Sequence, residues 1–120
     1  MVFKKVPLKE GSVLEYSSRE LLFLGHSGQP YRGTLYIKFL SSGESFDLRD
    51  FKHYITSLRA KTLYAEDIAY EIFQTITKNI ETENLGVVVD LSARGGIQQR
   101  VSFGAVFVPV IKANIFQIGT

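Results

Sequence analysis

A chain of 120 residues with 45% hydrophobic content fits one domain, residues 1–120, with a modest core, and is too short for two of ordinary size. Its 14 basic and 12 acidic residues leave a net charge of +2 and are scattered, so no basic tail or stripe marks nucleic acid as a partner. Cysteine is absent, which excludes disulfides, thiolate metal ligands and cysteine nucleophiles together.

No apolar run approaches the roughly 18 residues needed to cross a bilayer, and Met1 to Lys5 leads into no signal-peptide core. A cytoplasmic protein with no membrane partner is the expectation. From Ser12 to Leu24 an apolar-rich segment predicts an extended or bent strand, closed by the turn-forming Gly25-His26-Ser27-Gly28-Gln29-Pro30. Thr34 to Leu40 then alternates, with Leu35, Ile37 and Phe39 on one face of a strand that stops at Ser41-Ser42-Gly43.

The period changes in the middle third. Leu48, Phe51, Ile55 and Leu58 share one face of a helix from about Asp47 to Arg59. In a second helix Ala65, Ile68, Ala69, Ile72, Phe73, Ile76 and Ile80 form a broad apolar stripe. Alternation returns in Val87, Val89 and Leu91, and again in Val101, Phe103, Ala105 and Phe107, a last strand expected over Ile97 to Pro109 with a bulge at Gly104. The order β-β-α-α-β-β predicts an α+β fold: a four-stranded antiparallel sheet with both helices on one face.

Two stretches carry candidate chemistry. Ser57 to Asp67, SLRAKTLYAED, puts Glu66 near the start of the second helix; Ala93 to Ile97, ARGGI, sets a cation before two glycines. Taken alone, Glu66 and Asp67 suit a first helical turn through the macrodipole, and Gly95-Gly96 suits a chain reversal. Both are also plausible small-molecule contacts. His26 and His53 have no carboxylate at metal-ligand spacing, so no metal is expected.

In this order the motifs resemble the tunnelling fold, whose four-stranded subunits associate into an oligomeric barrel and bind purine or pterin rings at the seams. Within it the chain is most similar to the 7-cyano-7-deazaguanine reductases, NADPH-dependent nitrile reductases of queuosine biosynthesis. Gly28-Gln29-Pro30-Tyr31 stands where the family carries Gly-Gln-Pro-Asp, and Asp47-Leu48-Arg49-Asp50-Phe51-Lys52, leading to Ser57-Leu58-Arg59, matches its Glu-Ser-Lys-Ser-Leu-Lys and Ser-Phe-Arg. Ala65-Glu66-Asp67 takes the place of His-Glu-Asp, and Arg94 to Ile97 repeats Arg-Gly-Gly-Ile unchanged.

The resemblance implies that the family's catalytic cysteine, aspartate and histidine fall on Leu24, Tyr31 and Ala65, leaving no catalytic residue. Loss of an activated nucleophile closes the covalent route, so nitrile reduction by the family mechanism is not expected. What the resemblance retains is binding: Glu66, with Asp47, on the donor edge of a guanine, deazaguanine or pterin-like ring, and Arg49, Lys52, Arg94 and Gly95 on the phosphates of NADPH. Tyr31 or Tyr54 as a phenol and Lys61 as an amine offer acid–base groups for an aldolase-like, pterin-processing lyase. A homo-oligomeric scaffold with a vestigial pocket is the other alternative.

Overall fold

The computed structural model describes residues 2–109. Its elements are β1 (Lys5–Pro7), β2 (Val13–Leu24), β3 (Pro30–Ser41), β4 (Glu44–Phe46), α1 (Leu48–Ser57), α2 (Ile68–Asn79), β5 (Thr82–Arg94) and β6 (Ile97–Gly104). Single 3-10 turns at Leu58–Ala60 and Ala65–Asp67 sit between the helices. The main sheet runs β2-β3-β5-β6 with every neighbouring pair antiparallel, as the alternating patterns predict. Among the described residues, no helix is long and apolar enough to cross a membrane.

Alternation decides which face is covered. Leu35, Ile37 and Phe39 of β3 and Val87, Val89 and Leu91 of β5 are all at most 1% exposed, and they meet Ile68, Ala69, Ile72 and Ile76 of α2 and Ile55 of α1 in one core. α2 lies on β5 and β6, while α1 packs near β2, so both helices lie on one face of the sheet. This α+β arrangement is the one expected.

Four details depart from the sequence reading. β1 and β4 form a small second sheet that the short apolar pattern did not reveal, with Lys5 opposite Phe46 and Pro7 opposite Glu44. Through it Phe3 enters the core, edge-on to Phe46, Phe51 and Tyr54 at 5.6–5.8 Å. Leu48 does not join the buried helical face: as the first residue of α1 it lies on the cleft between that helix and β2 and is 58% exposed.

The last strand ends at Gly104 rather than Pro109, and the register shift of β5–β6 falls between Leu91 and Arg94, so Gly104 carries no bulge. Its positive φ of 89° ends the strand, with the Ala105 amide still donating to the Leu85 carbonyl (2.9 Å). Phe107 consequently leaves the face of Phe103. Phe103 packs against Tyr70 and Phe73 of α2, whereas Phe107 sits over Gly86, where a Cβ would come within 2.8 Å of its ring.

Candidate functional site

The site is built by a backbone clamp. The Leu24 amide donates to the Lys61 carbonyl (3.0 Å) and the Leu63 amide to the Leu24 carbonyl (2.8 Å), forming a parallel bridge between Leu24 and Thr62. This ties the segment before α2 to the end of β2. It brings Ala65 and Glu66 against the β2–β3 turn, itself closed by Gly25 donating to Gln29 (2.8 Å). Between them lies a cavity of about 220 Å³ lined by Gly25, His26, Gln29, Tyr31, Ala65 and Glu66 among others.

Glu66 is exposed in the Ala65–Asp67 turn, and one of its oxygens accepts from Gln99 Nε2 of β6 at 3.1 Å. An ionised carboxylate has about four acceptor positions, so most of its capacity stays open to a donor. The Tyr31 ring stacks on Phe23 at 5.3 Å and 16°. Gln29 Nε2 donates to its hydroxyl at 3.4 Å. The Arg94 guanidinium lies 5.0 Å from the same ring's centroid and donates to the Pro30 carbonyl. At the mouth, the His26 and Tyr64 rings approach with centroids 3.8 Å apart.

The turn that aims Arg94 explains the two glycines. Arg94 pairs with Ile97 across a two-residue loop, and Gly95 and Gly96 both have positive φ (57° and 81°), the geometry that suits the twist of a tight hairpin. Gly95 therefore has a backbone role here, one that would be strained for other residues.

Of the residues singled out from sequence, Tyr31, Ala65 and Glu66 line one cavity, with Leu24 adjoining it and Arg94 held against Tyr31. Asp47, Arg49 and Lys52 do not line it. The Asp47 carboxylate accepts from the Arg49 amide at 2.7 Å and caps α1. Lys52 lies instead on a separate cleft of about 520 Å³ between β2 and α1, alongside Arg59. Lys61 is ion-paired with Glu71.

Tyr54, considered from sequence as a catalytic phenol, lies in the core and does not line the Glu66 cavity. Burial pushes its phenol up to about 12, and the Glu71 charge adds to the rise. Thr75 donates its own proton to the Glu71 carbonyl (3.0 Å), and the Tyr54 hydroxyl has no hydrogen-bond partner. No group of three or more His, Asp or Glu side chains that could hold a metal occurs among the described residues.

Sequence reasoning took His26 for an ordinary turn residue and passed over Tyr64 and Gln99. Their placement depends on the Leu24–Thr62 bridge and the β5–β6 register, for which no local pattern gives a signal. Chemically, the cavity offers a carboxylate acceptor, amide groups and aromatic rings. It offers no thiol, and Leu24 and Ala65 supply no proton.

A family model described as QueF-like protein matches residues 30–105, more than half of the chain. The NADPH-dependent 7-cyano-7-deazaguanine reductase of Pelodictyon phaeoclathratiforme is 28% identical over 76 residues, which are 63% of this chain and 66% of that one. Its counterpart in Wolinella succinogenes is 32% identical over 71 residues, 59% and 57% of the two chains. The matches thus span less than two thirds of either relative. The crystal structure of the archaeosine synthase QueF-Like in its apo form superposes with a TM-score of 0.74 at 18% identity, covering 84% of this chain and 100% of that one, and so shares the fold. Motif order, sheet topology and the matched segment agree: the chain belongs to the QueF-like protein family.

Proposed function

We propose that the chain binds a guanine, deazaguanine or pterin-like ring through Glu66, within a cytoplasmic homo-oligomer, and does not reduce nitriles through a thioimide. The observation that carries this reading is that Tyr31 and the Ala65-Glu66 pair, far apart in sequence, meet on one cavity. Glu66 supplies the bidentate acceptor that an N–H and amino edge requires, and His26, Tyr31 and Tyr64 supply flat surfaces for a ring. The cavity's 220 Å³ is below the roughly 300–1,000 Å³ usual for complete ligand sites, as half of a site shared between subunits would be. The edge strands β2 and β6 have unpaired backbone groups with which a second subunit could complete it.

The case against reduction does not depend on alignment, because no cysteine occurs anywhere in the 120 residues. The relatives are named NADPH-dependent, which makes a nicotinamide dinucleotide the cofactor to consider. Within one chain the candidate phosphate contacts do not fit it as a set. Lys52 lines the α1 cleft, Arg49 lines neither cavity, and Arg94 is held against Pro30 and Tyr31.

A lyase acting on pterins loses two of its candidate groups, with Tyr54 in the core and Lys61 paired to Glu71. A vestigial pocket on an oligomeric scaffold is the competing reading, favoured by the engagement of Arg94 with Pro30. Thermal melts separate the two: a ring present at 100 times its dissociation constant adds about 2.7 kcal/mol of stability. An upward shift with 7-cyano-7-deazaguanine, guanine or neopterin is the expected result. Unchanged melting with all three sinks the binding reading, and turnover of NADPH with the nitrile sinks the claim about reduction.

A further inference from the structure

The face of the main sheet that carries no helix holds an uncompensated pair of arginines. On β2 the pairing with β3 passes from Ser18 opposite Leu35 to Leu21 opposite Gly33, so one extra residue is inserted. Without it, strict alternation would give Arg19 and Leu21 the same face. The bulge instead sends Leu21 into the core and leaves Arg19 on the opposite side, with Glu20 drawn towards Arg59 by an ion pair at 3.4 Å. Bulges commonly re-aim a side chain in this way.

On the neighbouring strand, Arg32 and Thr34 alternate out of the core onto that same face, and Ser92 of β5 stands beside them. Arg19, Arg32, Thr34, Ser92 and Gln98 line a shallow concavity of about 440 Å³. Its one carboxylate is already engaged: Asp90 accepts from Arg100 at 3.0 Å on one oxygen and from Gln98 Nε2 at 3.0 Å on the other. Lys38 on this face has its own partner in Glu15 at 4.0 Å. Among the described residues, the side chains of Arg19 and Arg32 have no ion pair, hydrogen bond or ring contact.

We propose that Arg19 and Arg32, with the hydroxyls of Thr34 and Ser92, form a site for a phosphate-type oxyanion, either free or carried by a small ligand. Guanidinium forks and hydroxyl donors on one concavity are the donor types that such an oxyanion takes, and the one carboxylate there, Asp90, has its charge paired with Arg100. The concavity is mostly polar in its side chains, which suits a hydrated anion better than an apolar segment of protein. This site is separate from the Glu66 cavity and shares no lining residue with it.

The test is calorimetric titration of the intact protein with inorganic phosphate and with pyrophosphate, ionic strength being held constant with chloride. Saturable binding is expected, weakened roughly tenfold or more for each of Arg19→Gln and Arg32→Gln, since a charge-assisted bond is worth about 1.5–3 kcal/mol. Arg19→Lys and Arg32→Lys, which keep the charge and lose the fork, should fall between wild type and the Gln variants. Both side chains are exposed, so melting without phosphate should be unchanged. Glu66→Ala should bind phosphate as wild type does, which keeps this result apart from the fate of the ring site. Absence of saturation beyond the chloride control, or equal affinity in the Arg19→Gln/Arg32→Gln double variant, overturns the proposal. Single-stranded RNA binding far tighter than pyrophosphate, and abolished by the same double variant, would assign the face to nucleic acid and overturn it too.

Discussion

At the scale of single residues, Glu66 and Tyr54 show how position decides the fate of a polar group. Glu66 occupies an exposed turn with one amide partner and spare acceptor capacity, whereas Tyr54 is buried with its hydroxyl unpaired. The second arrangement makes stability depend on pH. Because the native phenol is raised to about 12 from an ordinary value near 10, both states keep the proton below about pH 10 and Tyr54 adds no pH dependence there. From about pH 10 to about pH 12 the unfolded chain loses the proton first, so stability should fall, by about 2–3 kcal/mol at most. Tyr54→Phe should flatten that fall. Urea midpoints for the two proteins across the alkaline range check it, and parallel curves would show that Tyr54 is not the group responsible.

At the scale of elements, α1 owes its start to Asp47 and the far end of the sheet owes its finish to the Gly86 notch. Asp47→Ala should cost about 1 kcal/mol by removing the cap, and should leave ring binding intact if capping is the residue's role. Lost ligand affinity at unchanged stability would instead support the substrate contact that the family resemblance implies. Gly86→Val should displace Phe107 and the Ala105 carbonyl, at a cost of about 1–3 kcal/mol read from the denaturant midpoint. An unchanged midpoint would mean that the segment after β6 does not seat there.

The same elements show what sequence could and could not convey. β3, α2 and β5 were legible because Leu35, Ile37 and Phe39, Ile68, Ile72 and Ile76, and Val87 and Val89 each repeat at a single period set by one buried face. β1 and β4 were not, since three-residue strands leave no period to read and their pairing joins distant segments. Phe107 was misassigned for a related reason: alternation continues through Gly104 in the sequence, but the positive φ there ends the strand, and the following residues lie against β3 and β2. In the site, Glu66 and Arg94 were visible as motif residues, while His26, Tyr64 and Gln99 join them only through long-range hydrogen bonds.

At the scale of the whole molecule, the described residues present a sheet with two edge strands, β2, bridged only at Leu24 to Thr62, and β6, and a Glu66-lined cavity smaller than usual ligand sites. Exposed Val13 on β2 and Ile97 on β6 add apolar surface at those edges. Closure of sheets edge to edge would satisfy the unpaired backbone groups and complete the cavity at once. Light scattering should accordingly give a mass that is a multiple of 13.5 kDa. A monomer at every concentration would remove the shared-seam element of the account while leaving Glu66 to be tested alone.

The most direct test of retained ring binding without nitrile chemistry is a calorimetric titration with 7-cyano-7-deazaguanine, comparing wild type with Glu66→Ala. A charge-assisted acceptor lost from the ring edge should weaken binding roughly tenfold or more. Saturable binding in wild type with that loss in the variant is the predicted result; equal affinity in the two proteins would contradict it.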